Sequence, residues 1–582
     1  MLNLISDIHL HCGLKGFAAD GYPDYEDFTI WDYYPPQEEA LQKLNFALRA
    51  AVKETAIASQ ANLDACVEAR LHIPFLALYP IERQMFDLDP QRPFRRLFQF
   101  LLRGEQHANL GAAVTGFPIE KIREAIAQVT ERQNAVCDYY EEYLQERAYL
   151  LRQSETRSKQ YPDYRFTIVT NYQDLQVSVA NGQTIAGLLT VEGAHAFGRY
   201  PCYTILRKEW EELTPKQVVA LRSSFLENVL KVKTEEDGRL APFFVTFCHH
   251  FNNLLAGHAR SFSDKAPLAL GLNKPGMRHL FNQEPGLNRG FTPLGREVLD
   301  LMLDRKQGRR ILIDTKHMSV ATRKEFYTYI RNKREFEGDQ IPIVHSHAAI
   351  SGWATLDQAA SQQDNNDLDK GHFFSRWQIN LTNEDILETY DSDGLIGVVL
   401  HEGRMPGADF HKQVRKLRQR IERYRNDDRR RLYVERELKD LYLKLVWSTI
   451  FHMIKVVRDL RQEDGWKMIA LGSDYDGLVD PINAFPEVDS FQDLRQEMIH
   501  YLNAGEEIYF LQNGEAKLLP LSEVRALQQG QSAKQLLDRI LGGNTQAFLA
   551  KYFTESYLTE NVSDMTLATP TTTNLVSRRA TA

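Results

Sequence analysis

Residues 2–12 read LNLISDIHLHC. The apolar stretch 2–6 predicts a short β-strand, and the chain leaves it through Asp7, His9 and His11. Residues two apart in an extended chain project to the same side, so His9 and His11 can grip one ion together. Imidazole and carboxylate suit zinc and similar divalent ions.

Seven further runs share the character of the first. They are 74–79 (PFLALY), 185–191 (IAGLLTV), 242–247 (PFFVTF), 310–314 (RILID), 341–344 (IPIV), 395–400 (LIGVVL) and 468–471 (MIAL). Continuous apolar runs of this length suit parallel strands buried on both faces. Each is followed by polar or helical sequence, which predicts repeated βα units. Eight such units predict an α/β fold of the closed (β/α)8 TIM-barrel type.

The chemistry sits where the runs end. Glu192 and His195 follow the third run, His249, His250 and Asn252 the fourth, and His317 the fifth. His345 and His347 follow the sixth, His401 and Glu402 the seventh, and Asp474 and Asp476 the eighth. Nine of the 17 histidines fall in these short windows, whereas chance would scatter them. Barrel active sites lie at the C-terminal strand ends, so residues far apart in sequence converge there. Any one of them has a plainer reading: a histidine capping a carbonyl, Glu192 in a salt bridge, Asp474 forming a turn. Jointly they predict a metal site, with some of His195, His250, His345 and His401 supporting it rather than ligating.

The remaining length reads as insertion on one domain spanning 1–560. Residues 83–165 and 405–462 read as helical insertions, 258–295 as a long loop, and 561–582 as a disordered tail. The charge run 415–431 (RKLRQRIERYRNDDRRR) interleaves both signs, which favours a solvated helix face over a nucleic-acid patch. A net charge of -8 also argues against nonspecific nucleic-acid binding. Five cysteines without a CxxC pair fit a reduced compartment. The absence of a long apolar run predicts no membrane span, and the start lacks a signal-peptide pattern, so a cytoplasmic location is expected. The helical insertions are candidates for capping the pocket or for a homodimer contact.

Five stretches, in this order, resemble the membrane (renal) dipeptidase family, peptidase family M19 of the amidohydrolase superfamily. They are VEGAHAFG (191–198), FCHHFNN (247–253), TPLGREVLDLMLDRKQGRRILIDTKHMS (292–319), PIVHSH (342–347) and GSDYDG (472–477). The resemblance implies two zinc ions: His9 and His11 on the first, Glu192 bridging both, His317 and His347 on the second. It implies that His249 contacts the substrate and polarises its carbonyl, and that Asp474 exchanges a proton with the bridging water and the leaving amine. Asn252 and Arg376 are further expected substrate contacts. The family fold is itself a (β/α)8 barrel.

Two positions depart from the family pattern. The family opens His-x-Asp where this chain has His9-Leu-His11, which makes the ligand set one unit more positive. The family also carries an Arg just before an Asn, gripping the substrate carboxylate. Here Ile379 stands before Asn380, and Arg376 is nearby but out of register. The expected activity is amide (dipeptide-like) hydrolysis of a small-molecule substrate, with a hydroxide shared by two divalent ions. The competing readings are a metal-dependent phosphoesterase or lactonase on the same barrel, or a barrel that has lost its metal.

Overall fold

The structure is a computed structural model that describes residues 4–46, 48–49, 59–88, 101–262, 281–363, 365, 367–478 and 480–560. The expected tail 561–582, and parts of the expected insertion at 83–165 and loop at 258–295, lie outside these residues.

Eight parallel strands succeed one another in chain order. They are β1 (Ile5–Leu10), β2 (Leu71–Leu78), β3 (Thr184–Glu192), β4 (Phe244–Thr246), β5 (Leu312–Asp314), β6 (Val344–Ala348), β7 (Leu395–Val398) and β8 (Ile469–Leu471). Each pairs with the next: Ile5 opposes Leu71, Phe75 opposes Leu188, Val245 opposes Ile313, and Ile396 opposes Ile469. The circuit closes just beyond the ladders. The His11 amide donates to the Tyr475 carbonyl and the Asp474 amide to the His9 carbonyl, both at 3.0 Å. The result is the expected (β/α)8 barrel. All residues of β1, β2 and β3 are buried, as strands covered on both faces require.

Strand boundaries shift from the reading of the sequence, β2 starting three residues earlier at Leu71, and two of the shifts bear on the site. β1 starts at Ile5 and runs on through Leu10, so Asp7 and His9 lie inside the strand. β6 spans Val344–Ala348 rather than 341–344, which puts His345 and His347 inside it. Their polar side chains break the apolar signal, but neighbouring side chains, not solvent, receive them.

Helix starts are marked by side-chain caps. Ser319 accepts from the Thr322 amide ahead of Val320–Glu337, and Thr292 accepts from the Gly295 amide ahead of Pro293–Leu303. The stretches read as insertions contain helices: Gln106–Thr115, Ile119–Thr130 and Tyr139–Gln153 in the first, with a two-residue strand at Cys137–Asp138 between the latter two, and Ala408–Arg423 and Asp428–Arg461 in the second. The charge run lies on the latter pair, where Arg420 meets Glu437 at 2.5 Å and Arg431 meets Asp428 at 3.0 Å. Asp428–Arg461 is buried from Leu441 to Val457 except at Lys444 and Lys455, so its start and its last turn are the solvated parts. No described helix is long and apolar enough to cross a membrane.

Two buried carboxylates brace the strands beneath the site. Asp7 Oδ1 accepts from the amides of His9 and Ser473 at 3.0 Å, joining β1 to the exit of β8. Asp314 accepts from Thr246 Oγ1 at 2.5 Å and Ser346 Oγ at 2.6 Å, joining β4, β5 and β6.

Candidate metal centre

The C-terminal ends of β1, β3, β5, β6 and β8 bring His9, His11, Glu192, His317, His347 and Asp474 together in one buried cluster. The two histidine pairs flank one carboxylate. His9 Nε2 and His11 Nε2 stand 3.2 Å apart, at 3.4 Å and 3.1 Å from Glu192 Oε1 and Oε2 respectively. His317 Nε2 and His347 Nε2 also stand 3.2 Å apart, at 3.7 Å and 3.6 Å from Glu192 Oε1. Asp474 closes the open side, with Oδ1 3.7 Å from His9 Nε2 and Oδ2 3.8 Å from His347 Nε2.

These spacings bear on what the residues fit. Two donors on a tetrahedral ion, each about 2.1 Å away, lie roughly 3.4 Å from one another. Four ring nitrogens aimed at one carboxylate at 3.1–3.7 Å match that spacing better than a hydrogen-bond network, whose contacts are shorter. One ligand atom each from His9, Glu192, His347 and Asp474 lies within 4.8 Å of all the others, and His249, His250 and His317 form a second such group. The Nδ1 atoms of His9 and His11 have no hydrogen-bond partner among the described residues.

Local backbone conformation serves the site. His317 (φ 66°) and Asp474 (φ 66°) both occupy the left-handed region that side-chain-bearing residues rarely adopt. Gly193, next to Glu192, has φ 91°, and a Cβ there would run into the His195 ring.

The charge states are set by burial and by neighbours. Burial alone would raise Glu192, but the His249 and His9 imidazoles outweigh it and hold the carboxyl well below its usual range. Burial, reinforced by the Glu192 charge, pushes Asp474 up to about 8. Burial lowers His317 and His347 well below an ordinary histidine. A neutral imidazole carries the free lone pair that ligation needs.

His249 stands beside the cluster, its Nε2 3.4 Å from Glu192 Oε1. Its other nitrogen, Nδ1, meets Glu82 Oε2 at 2.6 Å. Glu82 also accepts from the amides of His250 and Phe251, at 3.3 Å and 3.1 Å. It lies just after β2, where no spacing in the sequence singled it out. Burial opposes protonation of His249, but Glu192 and Glu82 outweigh it and raise its pKa.

The other expected residues lie elsewhere or play quieter parts. His195 Nε2 meets the Pro80 carbonyl at 2.7 Å, and His345 Nδ1 meets Thr315 Oγ1 at 2.7 Å. The His250 ring lies against that of His249, tilted by 37° with centroids 3.8 Å apart. Asn252 spends its amide on the Lys208 and Leu206 carbonyls, at 2.7 Å and 3.3 Å, and so braces a loop. Arg376 is not brought to the cluster: its guanidinium stacks 3.7 Å from the Trp353 ring centroid and meets His372 Nε2 at 3.1 Å. Ile379 is buried, and Asn380 Nδ2 donates to the Arg404 carbonyl at 2.8 Å. Lys316, which the sequence did not single out, is buried next to His317, and burial lowers its pKa to about 7.

The chain is similar to solved metallo-dipeptidases. The probable dipeptidase PvdM from Pseudomonas aeruginosa shares 13% identity, with 88% of this chain and 97% of that one covered and a TM-score of 0.42. A metallo-peptidase from Rhodobacter sphaeroides, liganded with a phosphinate mimic of the dipeptide L-Ala-D-Ala, shares 13% identity over 94% and 99%, with a TM-score of 0.41. An amidohydrolase from Pseudomonas aeruginosa shares 12% over 89% and 99%, with a TM-score of 0.35. No protein-family model matches the sequence, and no curated protein does.

Proposed function

We propose that the protein is a binuclear metal-dependent hydrolase that cleaves an amide bond in a small, dipeptide-like substrate. The observation that carries this reading is the pair of imidazole pairs, each with Nε2 atoms 3.2 Å apart, on either side of Glu192. In this reading His9 and His11 hold one divalent ion, His317 and His347 hold the other, and Glu192 is shared. Zinc is the ion that such a nitrogen-rich donor set suits. Once bound, the ions supply an activated water at neutral pH and an electrophilic site for the substrate carbonyl.

The chain's own groups do the rest. Glu82 accepts the Nδ1 proton of His249, so a second proton, on Nε2, lets His249 donate to the carbonyl oxygen as negative charge develops there. The two bound cations would offset the burial and the Glu192 charge that raise Asp474, and the ionised carboxylate would take a proton from the attacking water and return it to the leaving nitrogen. The burial of the whole cluster keeps bulk water from competing.

The test is turnover by zinc-loaded protein on a panel of dipeptides, lactones and p-nitrophenyl phosphate. Dipeptide hydrolysis that a chelator abolishes is expected. Hydrolysis of the phosphate ester or of lactones with none of the dipeptides would contradict the amide assignment.

A further inference from the structure

The charge run singled out in the sequence takes no part in the metal cluster. It forms the end of a helical hairpin, Ala408–Arg423 and then Asp428–Arg461, in the connection between β7 and β8. Residues 412–431 hold ten cations and three carboxylates, in a chain whose net charge is -8, so the rest of the molecule is acidic. The three carboxylates are spent inside the hairpin. Glu422 meets Arg425 at 3.3 Å, Asp427 meets Arg430 at 3.4 Å, and Asp428 meets Arg431 at 3.0 Å. Lys412, Arg415, Lys416, Arg423 and Arg429 are all exposed, and none of them makes an ion pair among the described residues.

The spacing of these cations sorts them. Lys412, Arg415, Lys416 and Arg423 recur at i, i+3, i+4 and i+11, which puts them on one face of the helix Ala408–Arg423. The opposite face carries Phe410 and Val414, both buried, and Leu417 and Ile421, both half-buried. The cations therefore form a straight stripe directed away from the body, about 16 Å long at 1.5 Å per residue. Beyond the turn, Arg429 shares its helix face with Leu432 and Tyr433, at i+3 and i+4. These two side chains are 59% and 64% exposed. Val414 is the only buried residue between 411 and 433. The hairpin springs from the C-terminal end of β7, the end of the barrel that carries the metal cluster.

We propose that this hairpin seats the protein on an anionic lipid surface, with the stripe over the headgroups and Leu432 and Tyr433 entering the interfacial layer. A plane of negative charge fits a straight stripe of unpaired cations, and each cation beside such a surface adds roughly fivefold to affinity. The exposed leucine and tyrosine decide between polyanions. A duplex nucleic acid would use the same cations at its phosphates but gives Leu432 nothing to be buried in, whereas the headgroup boundary takes leucine and tyrosine beside arginine. No described helix is long and apolar enough to cross a bilayer, so the contact is peripheral. It is independent of the reaction assigned to the metal centre.

Co-sedimentation of the full-length protein with lipid vesicles tests this. Wild type is expected to bind vesicles of phosphatidylcholine with about 30% phosphatidylglycerol at about 0.1 M salt, to ignore pure phosphatidylcholine, and to be released at about 0.5 M salt. The triple variant Arg415→Gln, Lys416→Gln, Arg423→Gln is expected to bind the anionic vesicles about 100-fold more weakly. The double variant Leu432→Ser, Tyr433→Ser is expected to lose about 10-fold. All five side chains are exposed, so circular dichroism and metal content should match wild type. No binding to the anionic vesicles, equal binding to pure phosphatidylcholine, or wild-type binding by either variant would overturn the proposal. A 30-base-pair DNA duplex or polyglutamate bound more tightly than the vesicles would overturn it too, assigning the hairpin to a nucleic acid or to an acidic protein.

Discussion

Glu82 holds Nδ1 of His249 at 2.6 Å and thereby turns Nε2 of the same ring toward Glu192. Burial alone would raise the Glu82 pKa, but His249 outweighs it and keeps the carboxylate ionised. An ionised carboxylate only accepts, so the Nδ1 proton is fixed on the side away from the cluster. Glu82→Gln, which can present an amide N–H to the same nitrogen, is expected to lower kcat about 10- to 100-fold. Metal content and the circular dichroism spectrum should stay unchanged. Wild-type kcat in this variant would remove Glu82 from the account.

Asp474→Asn separates proton transfer from metal binding. The variant is expected to retain metal, because His9, His11, Glu192, His317 and His347 remain, while kcat falls about 10²- to 10⁴-fold. Unchanged kcat, or loss of all metal, would contradict the role assigned to Asp474.

Glu146 makes a stability prediction away from the centre. It is buried, accepts from the Tyr79 amide at 2.8 Å, and burial pushes its pKa up to about 8. A raised carboxyl pKa means that the folded chain binds more protons than the unfolded one. Its contribution is complete below the ordinary glutamate range and is lost as pH rises toward 8, at up to about 1.4 kcal/mol per pH unit. Glu146→Gln keeps an acceptor for Tyr79 and has no charge to bury. Denaturant titrations should show its stability relative to wild type improving from pH 5 to pH 8. A difference that does not change with pH would refute this.

Arg376→Ala tests the separation of that residue from the cluster. Its stacking on Trp353 predicts a loss of about 1 kcal/mol in stability. The dipeptide KM should change by less than about twofold, since such a small loss is confined to folding. A tenfold rise in KM with normal stability would place Arg376 in the substrate site after all.

The strands were legible because burial on both faces leaves continuous apolar runs such as IAGLLTV and PFFVTF. The ends of β1 and β6 were less so, because His9, His345 and His347 look like loop residues until the neighbours that enclose them are known. The convergence of His9, His11, Glu192, His317, His347 and Asp474 was legible because barrel topology collects strand ends whatever their separation in sequence. Glu82 was not, since its significance lies in the partner it holds. The hairpin of Ile508–Gln512 and Glu515–Leu519 lies outside the barrel and carries its own sequence signal, Asn513-Gly514. Both turn residues have positive φ, 52° and 80°, as a tight hairpin turn of this kind requires.

The central claim is that the two histidine pairs around Glu192 hold metal. Elemental analysis of the purified protein, joined to anomalous scattering from its crystals, tests this most directly. The account predicts two divalent ions per chain, one beside His9 and His11 and one beside His317 and His347, with Glu192 touching both. Fewer than one ion per chain after incubation with zinc, or anomalous peaks away from Glu192, would contradict it.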